Sequence, residues 1–337
     1  MDNTELYRVV LVHRDRYLVR NGEKELYCVS AGSLRYRDEY PVAGDYVEIT
    51  ENPYGDSLIQ EIRPRRTVFC RPDRGGHADG FVKTIQVQPL VANADYVFII
   101  TSLNHDFSVN RIARYASMAA AGGAVPVAVL TKADLCPNVE ELEAKAASLS
   151  KDLQAVSVSS RTGYGMERLQ AYFRPGVTIA LLGSSGAGKS TLINTLAGKE
   201  IMRTGGIREE DSKGRHTTTH RELIELNGVS FIDTPGLREL GMVDAGEGIA
   251  GTFSDIAELI SRCAFSDCTH RSEPGCAVRE ALENGTLSAE RWKMFSHLEK
   301  ENQWSKVRKN EKMMNIAMER RKRNTALQRC GRGTGRE

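Results

Sequence analysis

Residues Gly183 to Ser190 read G-S-S-G-A-G-K-S, after the apolar run Val177, Ile179, Ala180, Leu181 and Leu182 and before the helix-like Thr191, Leu192, Ile193, Asn194, Thr195 and Leu196. A buried strand, a glycine-rich turn and a helix start, in that order, predict a phosphate-binding loop. Gly183, Ser184, Ser185, Gly186, Ala187, Gly188, Lys189, Ser190 and Thr191 would line the bound phosphates, with several backbone N–H groups pointing at one spot. Lys189 adds a full positive charge, and the Ser190 hydroxyl is placed to ligate the magnesium that accompanies a nucleoside triphosphate. The bland alternative is a chance Gly/Ser-rich turn, and the surrounding chain argues against it.

Downstream, Phe231, Ile232, Asp233, Thr234, Pro235 and Gly236 form a hydrophobic strand ending in D-T-P-G. There Asp233 would act on magnesium through a bound water, and Gly236 would sit near the γ-phosphate. Upstream, the buried-strand pattern Val125 to Leu130 ends in Thr131, Lys132, Ala133 and Asp134, similar to the N-K-x-D guanine-reading motif. A carboxylate at Asp134 accepts hydrogen bonds from the N1–H and exocyclic amine of guanine, which adenine lacks, so a wrong base leaves it unpaired. A second strand-like stretch, Ala155 to Val158, ends in Ser159 and Ser160 and reads as the other base-contact loop. Both base loops precede the phosphate loop, the reverse of the usual order, so the nucleotide domain reads as circularly permuted.

The rest of the chain divides around this core. Its 337 residues exceed one ordinary domain, and 40% hydrophobic content suffices for a sizeable core. No run of about eighteen apolar residues occurs, and Met1 to Glu5 is polar, which predicts a soluble, cytoplasmic protein with no membrane association. From residue 6 to about 65, short alternating runs such as Tyr7, Val9 and Leu11 are separated by turn pairs, predicting a small β-barrel. Arg8, Arg14, Arg16, Arg20, Arg35 and Arg37, interleaved with Tyr17, Tyr36 and Tyr40, suit phosphate contacts and base stacking. They equally suit an ordinary solvated face, and the residues alone do not choose. Arg63 to Gly80 reads as a linker, strands and helices alternate from about Ile85 to Leu240, and Gly241 to Gly251 reads as a glycine-rich connection.

Cys263, Cys268, His270 and Cys276 follow the spacing C-x4-C-x-H-x5-C. Three thiolates and one imidazole fill a tetrahedral zinc shell with no open position, the mark of one structural Zn2+ that substitutes for a hydrophobic core. Cys28, Cys70, Cys136 and Cys330 are scattered and read as ordinary thiols. The net charge of +2 conceals a basic tail: residues 300 to 337 hold twelve Lys or Arg against four Glu, with Arg320, Arg321, Lys322 and Arg323 in one block. Such a segment on an otherwise acidic chain suits RNA phosphates.

The permuted motif order, the segment Gly214, Arg215, His216, Thr217, Thr218 and Thr219, and the Cys/His cluster together resemble the RsgA (YjeQ or YloQ) family of small-subunit biogenesis GTPases. The resemblance spans nearly the whole chain. It implies an α/β protein with a permuted P-loop GTPase core of doubly wound sheet (73–242), an N-terminal OB-fold barrel that binds RNA (1–72), and a C-terminal helical zinc-binding domain with a basic tail (243–337). It also implies that the protein hydrolyses GTP to GDP and phosphate, binds the 30S subunit and its ribosomal RNA, assists late maturation, and leaves on hydrolysis. All four Cys/His positions match the family's zinc ligands, and monomer is the default oligomeric state. One departure is Thr131, where the family motif has Asn, which replaces a bracing amide with a hydroxyl.

Phosphoryl transfer asks mainly for positioning and charge neutralisation. Ser190 with Thr218 or Thr219 would ligate magnesium. Leu237 stands where many G proteins place a water-orienting Gln, so hydrolysis by the free protein is expected to be slow. His216, supported by the family's G-R-H-T-T segment, is the candidate catalytic substitute; a loop histidine without a catalytic role is the alternative. Two rival readings are a transporter-type ATPase, which leaves Asp134 without a task, and an RNA-binding assembly module whose nucleotide is only a structural occupant. If Asp134 reads guanine, kcat/KM for GTP exceeds that for ATP by about 10⁴-fold, and comparable turnover of both nucleotides would reject that assignment.

Overall fold

The computed structural model describes residues 5–13, 15–73, 86–104, 106–202, 221–234 and 245–304. Five strands lead up to residue 62: β1 (Leu6–His13), β2 (Arg16–Asn21), β3 (Lys24–Ser30), β4 (Tyr46–Thr50) and β5 (Ser57–Ile62), with a short α1 (Gly32–Tyr36). A two-stranded hairpin, β6 (Val68–Asp73) and β7 (Gln86–Ala92), follows. The central sheet comprises β8 (Tyr96–Ser102), β9 (Val125–Thr131), β10 (Gln154–Ser157), β11 (Thr178–Gly183), β12 (Arg221–Leu226) and β13 (Val229–Asp233). Its helices are α2 (Val109–Ala121), α3 (Val139–Ala147), α4 (Met166–Leu169) and α5 (Lys189–Ala197). Beyond them lie α6 (Gly246–Thr252), α7 (Ser254–Ser261), α8 (Ala277–Glu283) and a last helix, α9, over residues 289–304.

β8, β9, β11 and β13 are almost wholly buried, because runs such as Ile-Ala-Leu-Leu carry no polar face and must be covered on both sides. The central order is β10-β9-β8-β11-β13-β12, parallel except for β12. Parallel strands bring their carboxyl ends to one rim, so the ends of β9, β10, β11 and β13 meet there despite their inverted succession. The result is a doubly wound α/β sheet whose strand ends carry the sequence motifs in permuted order.

The first five strands close a barrel in the order β1-β2-β3-β5-β4, with β4 returning to β1. Tyr7, Val9, Tyr17, Val19, Cys28, Leu34, Val47 and Ile59 fill it, and burial pushes the Cys28 thiol up to about 12, which leaves it inert. One strand serves two structures. The start of β1, Leu6 to Arg8, pairs with β4, while Leu11 and Val12 pair with Glu222 and Arg221 of β12, covering the edge of the central sheet.

This joint gives several residues roles that a linear reading missed. Arg8 turns inward, donating to Ser230 Oγ at 3.0 Å and Thr178 Oγ1 at 2.6 Å, so it links barrel to core instead of facing RNA. Tyr17 is core; Arg16 and Arg20 pair with Asp56 and Glu25; Arg14 lies outside the described residues. Tyr36 stays 93% exposed, with Tyr40 half-exposed, so part of the aromatic face remains available. The stretch read as a linker holds β6, because Phe69 packs into the main core and the strand pairs with β7. Just before it, Arg65 grips the fully buried Asp45 through two hydrogen bonds of 2.7 and 2.8 Å, an ion pair whose loss on one side alone costs about 3–5 kcal/mol.

The glycine-rich connection is also ordered structure. Gly246 to Thr252 forms α6, and a Cβ at Gly248 would lie 1.9 Å from the Ser117 carbonyl oxygen, so glycine lets α6 lie directly on α2. The core continues across this contact, with Phe253, Ile256, Val278, Phe295 and Leu298 in one cluster with Ile112 and Tyr115 of α2. The helices around the Cys/His segment therefore share the core of the central sheet and do not depend on a metal alone.

Arg291 of α9 clamps the assembly. It donates to both oxygens of Asp255 at 2.6 and 2.7 Å, to Leu149 O beyond α3 at 3.1 Å, and lies over the Phe253 ring. Burial pushes the Asp255 carboxyl up, but the Arg291 fork and backbone N–H groups more than reverse this and hold it below the usual aspartate range. A carboxyl depressed on folding stabilises above its unfolded value near 3.8 and loses that contribution as pH falls through the folded value. Asp255→Asn is expected to cost roughly 1 kcal/mol at neutral pH, the 42% exposed carboxylate being partly screened, and to flatten the stability loss below about pH 4 in acid-titrated denaturant melts.

Candidate functional site

The phosphate loop is shaped by its own backbone. Gly188 caps α5 with φ 97°, and a Cβ there would lie 3.4 Å from Thr131 Oγ1, so glycine answers both the left-handed turn and the closeness of the base loop. Lys189 Nζ donates to Gly183 O at 2.8 Å and Ser184 O at 3.0 Å, poised over the loop that it would share with β- and γ-phosphates. Ser190 and Thr191 stand in the first turn of α5, where backbone N–H groups and the helix dipole favour an anion.

The T-K-A-D loop meets this loop directly. Thr131 Oγ1 donates to Ala187 O at 2.5 Å and lies 3.4 Å from Thr101 O, while Lys132 Nζ donates to Gly186 O at 2.9 Å. The hydroxyl at position 131 thus performs the bracing that sequence comparison assigned to an amide. Ala133 N bonds Val158 O at 3.1 Å, and Ser159 Oγ donates to Asp134 Oδ1 at 2.7 Å. Ser159 is fully buried and also accepts from Thr162 N, so the second base loop orients a carboxylate that itself faces solvent. Ser160 adjoins it, half-buried.

Asp233 ends β13 beside Leu181, the partner strand of the phosphate loop. Burial pushes its carboxyl up, only partly offset by the Lys189 charge and the Thr234 N–H, and its buried Oδ1 has no hydrogen-bond partner. An orphaned oxygen at this strand end fits a hydrated divalent cation, which would lower the cost of its charge. Gly236, His216, Thr218 and Thr219 lie outside the described residues.

One residue beside the phosphate loop left no sequence signal. Asp106, in the polar stretch before α2, accepts from Ser184 Oγ at 2.5 Å through Oδ2 and from Arg111 at 2.6 Å through Oδ1. A lone acid in a loop has no spacing rule to reveal it.

At the far end, the ligand atoms of Cys263, Cys268, His270 and Cys276 all lie within 4.8 Å of one another. His270 Nδ1 is 3.6 Å from Cys263 Sγ and 3.5 Å from Cys276 Sγ. Tetrahedral zinc with its usual bond lengths sets S···N separations at about 3.5 Å, so the cluster fits that ion. Glu273 ties the loop between ligands, accepting from the N–H groups of Thr269, Arg271 and Ser272 and from the Thr269 hydroxyl, which holds its carboxyl far below the usual range. Trp292 of α9 meets the His270 ring edge-on at 5.5 Å.

Phosphate loop, base loops and the β13 aspartate on one rim define a guanine-nucleotide hydrolase of permuted order. The family model described as RsgA GTPase matches residues 62–243, and one described as 50S ribosome-binding GTPase matches 178–318, starting at the phosphate-loop strand as a permutation requires. The chain is 41% identical over 298 residues to Small ribosomal subunit biogenesis GTPase RsgA 2 of Listeria monocytogenes, covering 87% of this chain and 82% of the relative. It is 42% identical over 301 residues to the protein of that name in Lactiplantibacillus plantarum, covering 88% and 83%. Among solved structures, YjeQ from Thermotoga maritima matches with TM-score 0.62 and 26% identity over 87% of this chain and 98% of that one. YloQ, a circularly permuted GTPase, shares the fold at TM-score 0.58 and 23% identity, covering 88% and 95%. The chain belongs to the RsgA family of GTP hydrolases.

If the cluster holds zinc, metal analysis of the purified protein finds about one zinc per chain, and Cys276→Ser or chelation removes it and lowers Tm by several degrees, as loss of a folding-coupled metal requires. Full stability without zinc would reject the assignment.

Proposed function

We propose that this GTPase binds the small ribosomal subunit, assists a late step of its maturation, and dissociates once GTP is hydrolysed. The observation that carries the enzymatic half is the bridge from Thr131 and Lys132 to Ala187 and Gly186, which sets a guanine reader against a phosphate cradle. The choice of small subunit draws on the relatives' names, 82% of the Listeria protein's length being matched. The divisions 1–72, 73–242 and 243–337 would act as RNA-binding barrel, nucleotide core and zinc-bearing RNA contact.

In this reading Lys189 and the phosphate-loop N–H groups hold and orient the β- and γ-phosphates, and Asp134 with Ser159 fixes the base. Ser190, one of Thr218 or Thr219, and Asp233 would hold Mg2+, Asp233 through a coordinated water; the ion neutralises phosphate charge when bound. With Leu237 in place of a hydrogen-bonding side chain, water is oriented poorly in the free protein. Docking on the subunit would order the first switch and bring His216 to that water. Asp233 and the chain leading into α6 connect the γ-phosphate side to α7, α8 and the Cys/His cluster, so loss of that phosphate would alter the grip on RNA.

GTP turnover measured alone and with small subunits, large subunits or free RNA tests this. A rise confined to small subunits is expected, lost in His216→Ala while GTP still binds. Stimulation by large subunits instead would overturn the partner, and equal subunit affinity with GDP and a non-hydrolysable GTP analogue would overturn the release cycle.

A further inference from the structure

Away from the nucleotide rim, the first half of α2, Lys145 of α3 and one side of α9 enclose an open groove of about 930 Å³. Five cationic side chains line it, Arg111, Arg114, Lys145, Lys293 and Lys300, against the single carboxylate of Glu290. This is a local reversal of charge, since outside residues 300–337 the chain has more acidic than basic side chains. The two arginines are held by Asp106 and Glu301, whereas Lys145, Lys293 and Lys300 enter no ion pair among the described residues. The groove also offers the Ser108 and Ser296 hydroxyls and the Asn110 amide.

A single phosphate ion needs two or three donors at one point. Cations spread over α2, α3 and α9 suit a run of phosphates, and neutral donors between them suit sugar hydroxyls.

One wall of this groove leads to the phosphate loop. Arg111 donates to Asp106 Oδ1 at 2.6 Å, and Asp106 Oδ2 accepts from Ser184 Oγ of the phosphate loop at 2.5 Å. The backbone behind Asp106 is fixed by Thr101 Oγ1, which donates to Asp106 O at 2.9 Å. A phosphate drawing Arg111 into the groove therefore strips one partner from Asp106 and shifts its remaining charge onto Ser184, whose carbonyl also receives Lys189.

We propose that this groove binds the phosphodiester backbone of RNA and that Arg111 and Asp106 carry its occupancy to the phosphate loop. The inference rests on the RNA-partner reading above. It adds a defined site and a route of coupling. Because coupling is reciprocal, nucleotide changes RNA affinity by the factor by which RNA changes nucleotide affinity.

The test uses the full chain, a short RNA hairpin and a fluorescent GDP. Hairpin affinity is measured across salt concentrations for the wild type and for the K145Q/K293Q/K300Q protein. The triple substitution is expected to weaken binding at least tenfold at low salt and to reduce the slope of log K against log salt by about 2. Saturating hairpin is expected to change the GDP dissociation rate of the wild type by about fivefold or more. Asp106→Asn abolishes that response while hairpin still binds, and Arg111→Lys, which keeps the charge but loses the fork, reduces it.

Wild-type hairpin affinity and slope in the triple variant would overturn the groove while leaving the RNA-partner reading intact. Absence of hairpin binding by the wild type itself would bring down both. Binding of polyglutamate as tightly as the hairpin, with the same loss in the triple variant, would reassign the groove to an acidic polypeptide. An unchanged GDP response in both Asp106→Asn and Arg111→Lys would overturn the relay.

Discussion

The nucleotide site depends on one short hydrogen bond, from the Thr131 hydroxyl to the Ala187 carbonyl of the phosphate loop, 56 positions away in the chain. It holds the T-K-A-D loop and the glycine-rich loop before α5 in a fixed relation, and Lys132 adds a second tie at Gly186. Because both partners are buried at that point, water does not compete for the bond, and breaking it would strand a carbonyl. Asp134, Ser159 and Lys189 can be positioned independently by their own strands, but their mutual distance is set here.

Around that tie, the molecule is organised by strands and helices used twice. β1 closes the barrel with one half and covers β12 with the other; α2 supplies the central sheet with a covering layer and the zinc-region helices with a core. Arg8 acts at β1 itself, and Arg65 and Arg291 tie other segments distant in sequence. Their guanidinium forks suit this work, since each can satisfy several acceptors in fixed geometry.

The motifs were legible because each lies at the end of a strand buried on both sides, where apolar runs and glycine or charged loop residues leave an unambiguous pattern. Their inverted order was legible for the same reason, and the four clustered Cys/His positions announced themselves by spacing. Features that depend on what faces a residue were not. Arg8 reads as a surface charge until Thr178 and Ser230 stand opposite it, and Tyr17 reads as a stacking platform until the barrel closes over it. Gly241 to Gly251 reads as a glycine-rich connection, though at Gly248 the absent side chain serves helix contact. Arg63 to Gly80 reads as a linker, yet β6 pairs along one edge with β7, and Asp106 became visible only beside Ser184.

The double use of β1 reaches beyond the site. A strand bonded on one side to β4 and β12 in succession cannot leave the barrel without uncovering the central sheet, and Arg8 and the Asp45–Arg65 pair add further penalties to partial opening. Barrel and central sheet are thus joined through one continuous strand, and that continuity makes the barrel's orientation a property of the core and not of a tether.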